Sequence, residues 1–158
     1  MGLMTGAPAR SGTPEESRGL PAPLSVPAVQ AWLDSSPLAA FLGLICDEVD
    51  VEESRVSLRM PMSSQLERAS GSGQFHGGPV AALIDTAGDF AVATAVGSGV
   101  PTINFRVDYL RPSSGRFLIA RATVRRSGRT VAVADVDVLD DQGRLTAVGR
   151  GCYSAKPG

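Results

Sequence analysis

The stretch that decides the fold is Phe75-His76-Gly77-Gly78-Pro79-Val80-Ala81-Ala82-Leu83-Ile84-Asp85. A glycine pair and a proline lead into a long apolar run, and proline is well tolerated in the first turn of a helix. The pattern predicts a helix from about Gly78 to Val96, ended by the glycines and proline of 97–101. Because this helix is apolar on nearly every face, we expect it to be buried.

The predicted helix carries an acid, Asp85, among its apolar residues. A buried carboxylate is costly unless it is paired, hydrogen-bonded or used in chemistry. The helix start offers free N–H groups and the positive end of the helix dipole, which suit a polarised carbonyl oxygen. Gly77 and Gly78 allow a ligand to approach the backbone closely. These features together indicate acyl chemistry, whereas Asp89, one turn later, is interpreted as a solvated or interface residue.

The spacing between His76 and Asp85 bears on how such a site could be built. Nine residues of helix span about 13 Å and turn through about 900°, so the two ends face opposite ways. One chain therefore does not easily bring both groups to a single reacting carbon. Two antiparallel helices related by a two-fold axis could do so, which predicts a site shared between subunits of at least a dimer.

The flanking segments predict a sheet. A helix broken near Pro37 comes first, and after the central helix the pattern alternates with period two. The predicted strands are Ile45–Val51, Arg55–Met60, Ile103–Tyr109, Phe117–Val124, Thr130–Leu139 and Arg144–Tyr153. Short turns between the later strands make them antiparallel. We therefore expect an α+β fold in which an antiparallel sheet wraps around the long central helix.

Composition excludes several classes of function. The net charge of −1 does not favour a nucleic-acid partner, and no run suits a transmembrane helix. Cys46 and Cys152 lack metal-ligand spacing, and His76 is the only histidine. We therefore expect no metal site, and no catalytic triad that needs a second histidine.

The first residues differ in composition from the rest of the chain. Residues 1–28 are rich in Gly, Pro, Ser and Ala and lack an apolar core segment. This composition predicts a disordered leader rather than a secretory signal, followed by a single domain over 29–158. We expect a cytoplasmic protein.

Several of these motifs occur together in one known family. Phe75-His76-Gly77-Gly78, Asp85-Thr86-Ala87, Tyr109-Leu110-Arg111-Pro112 and Gly128-Arg129 resemble the hotdog-fold acyl-coenzyme A thioesterases of the phenylacetate-pathway, or PaaI-like, type. The resemblance covers about residues 36 to 155. It implies a hotdog fold, a homodimer with a continuous sheet, often a dimer of dimers, and hydrolysis of acyl-coenzyme A. It implies no metal and no cofactor beyond the coenzyme A of the substrate.

The resemblance also assigns roles to matched positions. Asp85 matches the family's acid, a general base or a nucleophile, and Gly77 matches the residue whose N–H polarises the thioester carbonyl. His76 matches the histidine that supports this loop. Thr102 matches a Ser or Thr that orients the attacking water. Ser70 stands where many members have an asparagine that contacts the thioester, so this polar contact departs from the pattern.

Other residues are candidates for holding the substrate. Gly78 allows close approach beside Gly77, and Arg111, Arg126 and Arg129 could bind coenzyme A phosphates. Two other functions stay open. One is a non-catalytic acyl-coenzyme A binding module, which the Ser70 departure favours slightly. The other is a hotdog dehydratase or hydratase, although that chemistry usually needs an acid and a histidine acting in one site.

Overall fold

The computed structural model describes residues 24–156, in which six strands surround one long helix. The helices are α1 Val26–Ser35, α2 Pro37–Leu42 and α3 Gly77–Val96, with a 3-10 turn at Ser64–Leu66. The strands are β1 Ile45–Asp50, β2 Arg55–Pro61, β3 Thr102–Tyr109, β4 Phe117–Ser127, β5 Val131–Asp140 and β6 Leu145–Ser154. The predicted order of helices and strands is confirmed, and each strand lies within a few residues of its expected bounds.

The N-terminal elements show where the described part begins. Leu24 is buried, and α1 starts at Val26 with a proline in its first turn. Residues 24–28, which the sequence assigned to the leader, thus include a buried side chain and the start of α1. The rest of the predicted leader, residues 1–23, lies outside the described residues. The predicted break falls at Ser36, whose extended backbone separates α1 from α2.

The sheet order is β1-β2-β4-β5-β6-β3, and every neighbouring pair is antiparallel. Strand β3 follows α3 in the chain yet lies at the far edge, beside β6. Helix α3 packs against the inner faces of β2, β4 and β5. By length and composition alone α3 could cross a bilayer, so the expectation that no run suits a transmembrane helix was wrong on these two criteria; here α3 is the core helix of the sheet.

Small residues let α3 approach the sheet closely at one position. The Tyr153 ring is fully buried between Gly88 on α3 and Gly151 on its own strand. Its hydroxyl donates a hydrogen bond to the Asp85 carbonyl oxygen at 3.2 Å. A Cβ at Gly88 would overlap the Tyr153 hydroxyl. The glycine is thus needed for close approach, and the tyrosine links the sheet to the helix turn that carries Asp85.

We predict that Gly88→Ala destabilises the protein, because the added methyl group must displace a buried ring. Overpacking of this kind costs about 1–3 kcal/mol. The matched control is Gly99→Ala, since no atom lies within contact distance of a Cβ at Gly99. Urea unfolding of both variants measures the difference. Equal stability of the two variants would show that α3 and β6 adjust to the extra volume.

Candidate active site

The Asp85 carboxylate lies beside the start of β3. The Thr102 hydroxyl donates a hydrogen bond to Asp85 Oδ1 at 2.9 Å. Asn104 and the later even-numbered residues of β3 line the outer face of the sheet. The register shifts between Thr102 and Asn104, and this bulge turns Thr102 to the helix side instead. The structure therefore brings together two of the four predicted catalytic residues.

The environment of Asp85 favours a role in proton transfer. The residue is half-buried, and burial raises the pKa of its carboxyl, while the Thr102 hydrogen bond lowers that pKa. A raised pKa makes a carboxylate a stronger base than an exposed one. A carboxylate at this place can accept a proton from water or attack a carbonyl carbon.

Asp89 lies one turn beyond Asp85 and is partly buried, which argues against the first of the two predictions for it, a solvated side chain; the second, an interface residue, stays a prediction. Its Oδ1 accepts a hydrogen bond from the Val100 N–H at 3.2 Å. Burial raises the pKa of Asp89 to about 7, and the nearby Asp85 charge adds to this. The carboxyl thus holds the turn between α3 and β3. It also keeps its proton to a higher pH than an exposed aspartate does.

The raised pKa of Asp89 predicts how stability depends on pH. Between the ordinary pKa of 3.8 and about 7, the folded state keeps a proton that the unfolded state releases. The unfolded state is then favoured by rising pH, so the contribution of Asp89 to the unfolding free energy falls through this window. As the pH rises from 4 to 7, we expect the unfolding free energy of Asp89→Asn to fall less than that of the wild type. Parallel pH dependences in denaturant titrations would contradict the raised pKa.

The other end of the candidate site is the start of α3. His76 is the N-cap, and its Nδ1 accepts a hydrogen bond from the Gly78 N–H at 3.1 Å. The His76 N–H donates to the Leu66 carbonyl oxygen at 2.8 Å, which anchors the loop. The Gly77 N–H has no acceptor among residues 24–156. Of the two glycine amides, Gly77 therefore offers the free donor, and His76 holds the turn that presents it.

Tyr109 adds a contact whose role the sequence did not reveal. Its hydroxyl donates a hydrogen bond to the Gly77 carbonyl oxygen at 2.8 Å. The far end of β3 is thereby tied to the first turn of α3. Tyr109 belongs to the Tyr-Leu-Arg-Pro motif, so a signal was present, but the motif alone does not state which backbone atom the phenol binds.

A cleft of about 560 Å³ opens beside the start of α3. Gly77, Gly78 and Tyr109 line it, together with the cations Arg68 and Arg111. Gly78 and Arg111, two of the residues predicted to contact substrate, thus line the same cleft, and Arg68 is an addition; their contact with substrate stays a prediction. The cleft combines a free amide with positive charge, which suits an anionic ligand that carries a carbonyl group.

Three predicted substrate-binding residues do not reach this cleft within the protomer. Ser70 is exposed in the loop of residues 67–75 and does not itself line the cleft; in this loop Glu67 accepts hydrogen bonds from the backbone N–H groups of residues 71 and 73. Arg126 and Arg129 line a second pocket of about 370 Å³ at the turn between β4 and β5. In one protomer neither arginine lies at the Gly77 cleft, and contact of either with coenzyme A phosphates stays a prediction.

The two ends of the site stay apart in one protomer. Gly77 contacts Tyr109 and Asp85 contacts Thr102, which lie at opposite ends of β3. Eight residues of helix separate Gly77 from Asp85, a rise of about 12 Å. Each end alone offers half of an acyl-transfer site. The Gly77 end offers an N–H donor for a carbonyl oxygen, and the Asp85 end offers a carboxylate that can accept a proton.

The described residues do not group into a metal site of the usual kind. No three His, Cys, Asp or Glu side chains come together between residues 24 and 156. The free thiols are Cys46, which is buried, and Cys152, which is half-buried. Burial raises the pKa of Cys46 to about 11, so this thiol is a poor nucleophile.

Comparison with known proteins finds thioesterases and esterases among the proteins to which this chain is similar. The sequence profile of the thioesterase superfamily matches residues 72–147. An esterase predicted in Halobacterium salinarum is 40% identical over 136 residues, which cover 79% of this chain and 88% of that protein. The acyl-coenzyme A thioesterase PaaI of Escherichia coli is 29% identical over 122 residues, covering 77% of this chain and 84% of that protein.

Solved structures show the same likeness. The Escherichia coli PaaI structure superposes with a TM-score of 0.71 at 28% identity, covering 82% of this chain and 91% of that one. A thioesterase family protein from Silicibacter pomeroyi also gives a TM-score of 0.71 at 28% identity, covering 82% of this chain and 96% of that one. These matches confirm the predicted hotdog fold.

Proposed function

Because the chain belongs to the thioesterase superfamily, as a hotdog-fold member of the PaaI-like type, we propose that it hydrolyses acyl-coenzyme A thioesters. The observation that carries this proposal is the Thr102–Asp85 hydrogen bond, which pairs a half-buried acid of raised pKa with a hydroxyl group. The name of the Escherichia coli relative supplies the substrate class.

The proposed reaction begins with the thioester carbonyl oxygen bound to the Gly77 N–H. The dipole of α3 adds positive potential at this point, so the charge that develops on the oxygen is stabilised. His76 keeps the donor free, because its own ring nitrogen accepts the neighbouring Gly78 N–H. The electrophile is thereby prepared by the backbone rather than by a charged side chain.

Asp85 then supplies the acid–base or nucleophilic step. As general base, it takes a proton from water as the oxygen attacks the carbonyl carbon, with Thr102 orienting that water. As nucleophile, it attacks the carbon itself, and water later hydrolyses the mixed anhydride. In both routes the carbon–sulfur bond breaks, the thiolate leaves and takes up a proton, and the free acid remains.

The proposed site is shared between two protomers of a homodimer. Strand β3 lies at the sheet edge and exposes apolar side chains, including Ile103 at 54% and Phe105 at 39%. An exposed apolar edge strand is a template for pairing with another chain. Pairing two β3 edges about a two-fold axis would place the α3 helices antiparallel, and Gly77 of one protomer could then approach Asp85 of the other.

The arginines divide into two proposed groups. Arg111 lies in the Gly77 cleft with Arg68, where both could meet coenzyme A phosphates. Arg126 and Arg129 are candidates for phosphate contacts only from a neighbouring protomer, since they line a different pocket. Ser70 has no contact with the cleft, which leaves the thioester without the amide found in many relatives.

The experiment that tests this function is release of free thiol from a panel of aromatic and aliphatic acyl-coenzyme A esters. We expect thiol release above the uncatalysed rate for at least one class of acyl group. Tight binding without thiol release would favour a binding module instead. Addition of water to an enoyl-coenzyme A without thiol release would favour a hydratase.

A further inference from the structure

Asp89 is a partly buried acid that the reaction described above does not use. It lies four residues after Asp85, so both side chains project from the same side of α3. Its hydrogen bond to the Val100 N–H places it against the turn that leads into β3. Val100 is itself buried and stands two residues before Thr102.

The distance between Asp85 and Asp89 along α3 matches the distance between their partners, Thr102 and Val100, along the chain that enters β3. Four residues of helix rise about 6 Å, and two residues of extended chain cover about 6.6 Å. The chain from Val100 to Thr102 runs antiparallel to α3, so Asp89 meets Val100 while Asp85 meets Thr102. Two hydrogen bonds therefore hold the beginning of β3 along one face of the helix.

The turn between α3 and β3 needs such a contact. It contains Gly97 with a φ of 79° and Gly99, both of which add backbone freedom. The Gly97 N–H donates to the Ala93 carbonyl oxygen, and the Ser154 N–H donates to the Pro101 carbonyl oxygen. Between these two anchors, the Val100 N–H donates a hydrogen bond to the Asp89 side chain, which ties the turn to α3.

We propose that Asp89 is a positioning residue, which fixes the turn before β3 so that the Thr102 hydroxyl meets the Asp85 carboxylate. The inference rests on the proposed function for its effect on turnover, because Asp85 is taken there as the reacting acid. Asp89 itself touches the Val100 backbone and acts through Thr102.

Burial and the charge of Asp85 raise the pKa of Asp89, while the hydrogen bond from the Val100 N–H lowers it. Asp85 on the same helix and the Tyr153 phenol on β6 are the titratable neighbours that act on it or feel its charge. Burial keeps the Asp89 pKa at about 7, and a protonated carboxyl still offers a carbonyl oxygen to the Val100 N–H. An amide at this position offers the same acceptor, so Asp89→Asn should preserve the contact.

The test is a double-mutant cycle between Asp89→Ala and Thr102→Val, with Asp89→Asn as the conservative variant. Loss of an orienting hydrogen bond predicts about a tenfold lower kcat in each single variant, with a smaller change in KM. The kcat of the double variant should be no lower than that of the slower single variant. The kcat of Asp89→Asn should recover most of what Asp89→Ala loses. Gly99→Ala controls for a general change in the turn.

A second measurement does not depend on turnover. The Thr102 hydrogen bond lowers the Asp85 pKa, so carboxyl-carbon NMR should show that pKa rising in Thr102→Val and also in Asp89→Ala. If Asp85→Asn keeps full turnover, the proposed role of Asp85 as the reacting acid fails, while the NMR result still decides the role of Asp89.

Three outcomes would overturn the positioning role. They are additive losses in the cycle, an Asp89→Asn variant as slow as Asp89→Ala, and an Asp85 pKa that does not change in Asp89→Ala. Should Asp89→Ala fail to fold, Asp89→Leu replaces it, because leucine keeps the forked shape of the side chain and removes the acceptor. An Asp89→Leu protein with wild-type kcat and an unchanged Asp85 pKa would contradict the proposal equally.

Discussion

Asp85→Asn is expected to retain the fold and to lose turnover by about 10²-fold or more. Asparagine has nearly the same shape and can still accept the Thr102 hydrogen bond. It cannot take a proton from water, and it is a poor nucleophile towards a thioester. The variant therefore removes the chemistry while keeping the contact, and steady-state thiol release measures the effect.

The matched control for this variant is Asp137→Asn. Asp137 lies exposed on β5, and it lines the pocket on the outer face of the sheet rather than the side that packs on α3. The same chemical change there should leave turnover within about twofold of wild type, as expected of surface substitutions. Turnover of Asp85→Asn near the wild-type value would remove Asp85 from the mechanism.

Gly77→Pro is expected to lower turnover by about 10²–10³-fold, because it deletes the N–H proposed to bind the oxyanion. The position can accept proline. It is the first residue of α3, and His76 before it has the extended backbone, φ −67° and ψ 148°, that a residue preceding proline requires. The loss should fall mainly on kcat, since the donor acts most strongly on the developing charge.

Gly77→Ala separates the lost N–H from the added bulk. Both variants place a Cβ about 3.2 Å from the Tyr109 hydroxyl oxygen, but alanine keeps the N–H. The alanine variant should therefore be much faster than the proline variant. Equal losses would mean that contact with Tyr109, and not the missing donor, causes the defect.

The fold could be predicted because its signals are local. The apolar run after Gly77 cannot be an exposed helix, and the period-two pattern from Ile103 onwards can only be a half-buried sheet. Turn residues then make the later strands antiparallel. The bulge that turns Thr102 towards Asp85 was not visible, because alternation alone places Thr102 with Asn104 on the outer face.

The site could be predicted only in part. The resemblance named Asp85, Thr102, Gly77 and His76, and the structure joins them as two pairs of neighbours. Arg126 was a candidate only because it is a cation, and residue type says nothing of which pocket a side chain lines. The places of Arg126 and Ser70 depend on contacts between distant parts of the chain.

Asp89 was misjudged for a different physical reason. An acid in a helix is usually solvated, and the sequence shows no partner for it. Its partner is a backbone N–H, that of Val100, which carries no residue-type signal. The same holds for Tyr109 and Tyr153, whose hydroxyls bind the carbonyl oxygens of α3 residues. Contacts to the backbone are therefore the part of this site that sequence reasoning missed.

The central claim is that the start of α3 in one protomer and Asp85 of its partner form one active site. Mixing Asp85→Asn with Gly77→Pro under conditions of subunit exchange tests it most directly. A mixed dimer holds one site with both lesions and one with neither. At equal amounts half of the dimers are mixed, so about a quarter of wild-type activity should return. No recovery, with heterodimers shown by native mass spectrometry and both variants folded, would mean that each site is built from one chain.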